Sequence, residues 1–190
     1  MAIIAVMAMM AGVVLLTGCP PKTENKKKST AKTNLLINID SASLINHLAY
    51  LSSGIMQGRE TATPGNKLAR DYIVKIFDSL KIEKIGDSYL QPFPFGNDNL
   101  QGVNVIGVIK GSQYENSYIA ITAHYDHLGI RNGKTYYGTD DNASGTAALL
   151  AMAAYFKQHP PKHSLLLVLL MLRKKGCWAQ NILFPILPYH

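Results

Sequence analysis

Acidic side chains are missing from the C-terminal end of this 190-residue chain. All twelve Asp and Glu residues lie at or before Asp141, so the last forty-nine residues contain no carboxylate side chain. Hydrolytic enzymes take general bases and many metal ligands from carboxylates. Any such site in this protein must therefore be formed by residues up to Asp141 or be completed from elsewhere.

Cysteine is also scarce, since the chain contains only Cys19 and Cys177, and this count implies no disulfide framework. The formal charge of +7 arises outside the central part of the chain, because residues 34–172 hold eleven basic and eleven acidic residues. A nucleic-acid-binding domain concentrates basic residues on one face. We therefore expect no nucleic-acid partner.

The N-terminus has the pattern of an exported protein. Residues 1–18 are uncharged and mostly apolar, and Leu16-Thr17-Gly18-Cys19 resembles the lipobox of bacterial lipoproteins. We expect a signal peptide over 1–18, a lipid on Cys19 that anchors the protein to a membrane of the bacterial cell envelope, and a Lys-rich flexible linker over 19–34. An uncleaved membrane anchor and a buried helix are the alternatives.

The middle of the chain alternates between helical and extended patterns. We predict a helix capped by Ser41 or Ser43, helices at Pro64–Leu80 and Ser144–Gln158, and strands near Tyr89–Phe95, Val103–Lys110, Tyr118–His124 and Ser164–Leu172. This alternation favours a layered α/β domain over residues 35–172, followed by an aberrant tail over 173–190.

Two short motifs in this domain carry the chemistry. His124 and Asp126 follow an apolar strand, so the Asp126 carboxylate can orient the His124 imidazole while the other ring nitrogen binds a metal. Asp141 lies on an acidic turn that opens the next helix, which is a plausible cation site. A hydrogen-bonded structural histidine and a helix cap by Asp140 or Asp141 are the alternatives.

Together the motifs resemble the M28 family of zinc metallopeptidases. The second motif, Gly138-Thr139-Asp140-Asp141-Asn142-Ala143-Ser144-Gly145, is one substitution from the family pattern, and the likeness extends over about residues 44–170. The resemblance implies that His124 binds one zinc, Asp141 bridges two zincs, and Asp126 orients His124. It gives no ligand position to His47, His127, His159 or His163, which we expect to be surface or structural residues.

The resemblance also implies the fold and the activity. Relatives form one three-layer α/β/α domain with a mixed sheet, of which this chain holds the N-terminal half to two-thirds. Full-length relatives are aminopeptidases that cleave N-terminal residues from peptides. The alternatives are a glutaminyl cyclase and a non-catalytic lipoprotein that binds peptides. A sheet that lacks its later strands is expected to leave an open, apolar edge.

The family's general base is missing after the last predicted strand. Relatives read a Glu-Glu pair there, whereas this chain reads Met171-Leu172-Arg173-Lys174-Lys175. Codons for this tail, regrouped one base earlier, can encode Asp-Ala-Glu-Glu-Glu-Gly-Leu-Leu-Gly-Ser, and Cys177-Trp178-Ala179 can regroup only to Leu then Gly. We hypothesise a one-base frameshift near Leu170 or Met171, and we expect the chain as written to be inactive.

Overall fold

The computed structural model describes residues 38–95 and 100–171. In chain order, the elements are α1 (Ser41–Leu51), a 3-10 helix (Gly54–Arg59), α2 (Pro64–Ser79), β1 (Leu90–Phe95), β2 (Leu100–Ile109), β3 (Tyr114–His124), β4 (Gly129–Arg131), β5 (Lys134–Tyr136), a π-helical turn (Thr139–Ala143), α3 (Ser144–Gln158) and β6 (His163–Leu170).

Four strands form a mixed sheet in the order β1-β2-β6-β3. β1 pairs with β2 and β2 with β6 in antiparallel fashion, while β6 and β3 run parallel. The chain leaves β3, forms the short β4–β5 hairpin and α3, and returns as β6 beside β3. This crossover connection places the end of β3 next to the start of α3.

The sheet is buried on both faces around β6. Its residues from Ser164 to Leu169 are all buried, as expected for a continuous apolar run inside a sheet. Leu165, Leu167 and Leu169 belong to a large core cluster that also contains residues of α1, α2 and α3. Leu166 and Val168 lie in a smaller cluster with Ile106 of β2. In the described part of the chain, the helices contribute to the larger cluster alone.

The predicted mixed α/β architecture is confirmed. Helix α3 has the predicted bounds, α2 ends at Ser79, one residue before the prediction, and each predicted strand overlaps an observed one. The predicted cap of α1 is wrong, because the Asp40 carboxylate, and not Ser41 or Ser43, accepts the backbone N–H groups of Ala42 and Ser43. A carboxylate also interacts favourably with the positive end of the helix dipole, and Asp40 stands at the position where its side chain can reach both groups.

Strand β3 is one of the two outer strands of the four-stranded sheet among the described residues. Seven residues at its start are exposed, and they include Tyr114, Tyr118 and Ile119. Residues of the described segments form no helix that is long and apolar enough to span a membrane. The predicted signal peptide, Cys19, the linker and the tail after Leu172 lie outside the described residues.

Candidate metal-binding site

The fold brings the two sequence motifs together. His124 is the last residue of β3, and Asp141 lies in the π-helical turn that precedes α3. Nε2 of His124 is 3.3 Å from Oδ1 of Asp141. The hydroxyl of Thr146 in the first turn of α3 donates to the His124 carbonyl at 3.1 Å. The strand end and the start of the helix are therefore joined directly beside the two side chains.

Asp126 lies on the other side of the His124 ring. Nδ1 of His124 is 3.2 Å from the backbone carbonyl of Asp126 and 3.5 Å from its Oδ1, and Thr61 donates to Oδ2 at 3.3 Å. The Asp126 carboxylate beside the ring raises the pKa of His124, and burial opposes this effect. Both Asp126 oxygens that face Nδ1 are acceptors, so they favour the tautomer that leaves Nε2 unprotonated toward Asp141.

The separation between His124 and Asp141 suits two ligands of one zinc ion. A tetrahedral zinc with bonds of about 2.0–2.1 Å holds neighbouring ligand atoms about 3.3 Å apart, the distance observed between Nε2 and Oδ1. Within residues 38–95 and 100–171, however, no group of three or more His, Cys, Asp or Glu side chains is arranged to hold a metal ion. These two residues thus fit part of a coordination shell, and their role as ligands stays a prediction.

The N-cap residue of α3 is Ala143, so the alternative interpretation of Asp140 or Asp141 as the helix cap does not apply. Asn142 Oδ1 accepts the backbone N–H of Gly145 at 3.0 Å, and the Ser144 hydroxyl donates to the Asp140 carbonyl. The amide of Asn142 therefore satisfies a free donor of the first turn of α3. The carboxylate of Asp141 instead faces His124 on one side and His127 on the other.

His127 is a residue of this site that the sequence analysis did not assign to it. Its Nδ1 is 3.6 Å from Oδ2 of Asp141, and only 12% of its side chain is exposed. Burial lowers the pKa of His127, which favours the neutral ring. A usable signal was its position directly after Asp126, in a segment that must stay close to the strand end. The other three unassigned histidines bond elsewhere: His47 to Tyr72, His159 to the Tyr155 carbonyl, and His163 to Ser117.

The model of Peptidase family M28 matches residues 104–172. This segment includes part of β2, all of β3, α3 and β6, and the three motif residues. Over this segment the chain is similar to peptidase family M28. None of the curated proteins matches the sequence.

Solved structures with a similar fold come from both peptidases and cyclases. A glutaminyl cyclase from an Acidobacteriales bacterium matches with a TM-score of 0.60 and 22% identity, over 78% of this chain and 48% of that chain. A Zn-dependent exopeptidase from Parabacteroides distasonis matches with a TM-score of 0.58 and 18% identity, over 75% of this chain and 53% of that chain. A leucine aminopeptidase precursor from Bacteroides thetaiotaomicron matches with a TM-score of 0.55 and 19% identity, over 70% of this chain and 47% of that chain. The chain spans about half the length of these structures.

Gly138 tests how tightly the site is packed. It has φ +60°, and a Cβ there would lie 2.4 Å from the His127 ring and 2.8 Å from Nη2 of Arg59. We expect Gly138→Ala to lose about 1 kcal/mol through backbone strain and about 1–3 kcal/mol more through overpacking. Gly133→Ala is the matched control, since Gly133 has φ +73° and open space around its Cβ position. Urea unfolding of both variants measures the difference, and equal losses would contradict the close packing.

Proposed function

We propose that this chain is the N-terminal part of an M28-type zinc aminopeptidase that hydrolyses N-terminal peptide bonds. The observation that carries the proposal is the approach of His124 Nε2 to Asp141 Oδ1 at 3.3 Å, at the C-terminal end of a strand in a mixed sheet. Ligand sites of open α/β sheets lie at such strand ends. The match of residues 104–172 to the family supports the same assignment.

Each residue of the site has a defined task in this proposal. His124 binds through Nε2, Asp141 offers one oxygen on each side and so suits a bridging ligand, and Asp126 holds the proton of His124 on Nδ1. Two zinc ions bound there would polarise the scissile carbonyl and lower the pKa of a water molecule. The proton of that water needs a general base. The chain as written offers no carboxylate after Asp141 to act as that base, so we propose that it is inactive.

A frameshift in the gene accounts for the missing catalytic general base. The match to the family ends at Leu172, directly after β6, close to the position where the codons regroup to a Glu-Glu motif. We propose that one base is missing or inserted near Leu170 or Met171. Under this proposal the active protein continues in the earlier frame, which restores the Glu-Glu pair.

The surroundings of Met171 support this proposal independently of the codons. Met171 is 2% exposed, yet its sulfur receives the backbone N–H of Val103 at 3.3 Å. Asn104 accepts the N–H of Met171 through Oδ1, while its buried Nδ2 has no hydrogen-bond partner among the described residues. A thioether is a weak acceptor. The side chain at position 171 thus faces two donors, the Val103 N–H and the Tyr125 hydroxyl, that an Asp carboxylate, the residue of the earlier frame, would satisfy better.

A carboxylate at this position provides a direct test. Burial of a charge in an apolar environment costs several kcal/mol unless hydrogen bonds compensate it. We expect Met171→Asp to lose less than about 1 kcal/mol, because the Val103 N–H and the Tyr125 hydroxyl supply donors. The control is Leu169→Asp on the fully buried side of β6, which should lose several kcal/mol. Urea unfolding at pH 7 measures both, and equally large losses would remove this support.

Sequencing and activity together test the proposed function. The gene is sequenced from before Leu170 to the next stop in every frame, and the chain is also produced with the earlier frame restored. We expect zinc-dependent hydrolysis of leucine p-nitroanilide by the restored chain, a loss of at least 100-fold in Asp141→Asn, and none by the chain as written. An intact frame, or an inactive restored chain that is folded and zinc-loaded, would overturn the proposal.

Glutaminyl cyclisation is the second candidate, and it is favoured by the cyclases among the similar structures. In that reaction the α-amine of an N-terminal Gln attacks the side-chain amide carbon, a C–N bond forms, and ammonia leaves. The restored chain given a Gln-Phe dipeptide would then form the pyroglutamyl product, with one zinc per chain. Release of free Gln with two zincs favours the aminopeptidase. Stoichiometric zinc without either product favours the non-catalytic, peptide-binding lipoprotein.

We also propose that Cys19 carries a lipid and anchors the protein in the bacterial cell envelope, on the basis of the lipobox-like sequence alone. Cells that express the chain are fed an alkyne-tagged fatty acid, and the protein is purified and probed for the tag. The label should be lost in Cys19→Ser and kept in Cys177→Ser, the matched control at the other cysteine. Label retained in Cys19→Ser would exclude this attachment site.

A further inference from the structure

Arg59 is a charged residue with an unusual environment. It is 0% exposed, and its guanidinium donates to four backbone carbonyls. Nε donates to Tyr125 at 2.8 Å, Nη1 to Tyr137 at 2.8 Å and to Leu51, and Nη2 to Gly138 at 2.9 Å. A buried charge requires such compensation, because desolvation alone would make its burial costly. All of these bonds go to the main chain, which makes Arg59 a connector of segments.

The segments that Arg59 joins are those that carry the metal-binding residues. The Tyr125 carbonyl lies between His124 and Asp126, and the carbonyls of Tyr137 and Gly138 come directly before the turn that holds Asp141. One rigid, planar group therefore bonds to both ends of the loop between the two motifs. The planar fork of a guanidinium fixes the directions of its bonds, which a flexible ammonium group cannot do.

The charge of Arg59 also acts on the site. Burial lowers the pKa of Arg59 to about 10, whereas Asp126 and Asp141 oppose this shift by favouring the cation. Arg59 therefore interacts electrostatically with these two carboxylates, while its hydrogen bonds hold the backbone.

The backbone around Arg59 is held in an uncommon conformation. Gln57, Gly58 and Arg59 all have positive φ, at 49°, 69° and 50°. A Cβ on Gly58 would lie 2.4 Å from the Tyr136 carbonyl, so only glycine fits at this approach to the β4–β5 hairpin. The Arg59 carbonyl accepts the N–H of His127 at 3.1 Å. Strain of this kind persists where surrounding contacts fix the chain, and it concentrates at functional sites.

We infer that Arg59 is the positioning residue of the metal site: its guanidinium sets the distance between His124 and Asp141 by holding both ends of the intervening loop. This inference rests on the proposed function in so far as it names the metal. The geometric part, the contact between His124 and Asp141, is measurable without any metal.

The first experiment reads the His124 ring in the metal-free, full chain. Histidine ring ¹⁵N shifts are recorded for the wild type, Arg59→Lys, Arg59→Met and Asp141→Asn, and His124→Gln assigns the signal. Lys keeps the charge without the fork, and Met keeps approximate volume only. We expect the His124 signals of both Arg59 variants to move toward those of Asp141→Asn, with a smaller change in Arg59→Lys. Circular dichroism shows whether each variant is folded. If Arg59→Met unfolds, the test uses Arg59→Lys alone.

The matched control is Arg131→Met. Arg131 is half exposed, and its guanidinium pairs at 2.7 Å with the carboxylate of Glu60, the residue that follows Arg59 in the chain. This ion pair does not involve His124, Asp126 or Asp141. It should leave the His124 signals unchanged. A folded Arg59→Lys or Arg59→Met with wild-type His124 signals would overturn the inference and assign Arg59 a role in stability only.

The second experiment adds zinc, and cobalt as a coloured substitute. We expect Arg59→Lys to weaken metal binding about 10-fold or more, while Arg131→Met binds as the wild type does. If the wild type and Arg59→Lys bind the metal with equal affinity, the positioning role is overturned and the proposed function stays intact. If the restored-frame wild type binds no metal but the His124 signals respond to Arg59, the proposed function fails and the geometric role of Arg59 stands.

Discussion

The hydrogen bonds between the buried Arg59 guanidinium and the main chain are the interaction on which the candidate site depends. They join the end of α1, the end of β3 and the entrance to the turn before α3. Hydrogen bonds that involve a charge contribute about 1.5–3 kcal/mol each, and a missing donor would leave buried carbonyls unsatisfied. The order of this loop region is thus set by one side chain from a distant part of the sequence.

The site combines a rigid support with an irregular turn. The sheet supports His124 at a strand end, where the parallel pairing with β6 continues up to Leu170. Asp141 lies in a π-helical turn whose backbone departs from helical geometry. Thr146 joins the two by its bond to the His124 carbonyl. This division is common in α/β enzymes, because a strand fixes a position precisely enough for metal binding while a loop can place carboxylates at angles that no regular element allows.

Much of this arrangement follows from local sequence patterns. The bounds of α3 and the placement of His124, Asp126 and Asp141 at one edge of the sheet could be predicted, because periodicity and strand ends are properties of short segments. The β4–β5 hairpin could not be predicted, since its strands have three residues each and carry almost no periodic signal.

The contacts of Arg59 could not be predicted from the sequence, and for those of His127 the only signal was its position directly after Asp126. Both depend on segments that meet only in the folded chain, such as Arg59 with Gly138 and His127 with Asp141.

The central position of β6 in the sheet has a consequence for the order of folding. Since β6 pairs with β2 on one side and with β3 on the other, the two halves of the sheet stay separate until β6 inserts between them. Such non-local pairing is slow, so the described four-stranded sheet becomes cooperative only once β6 has been made.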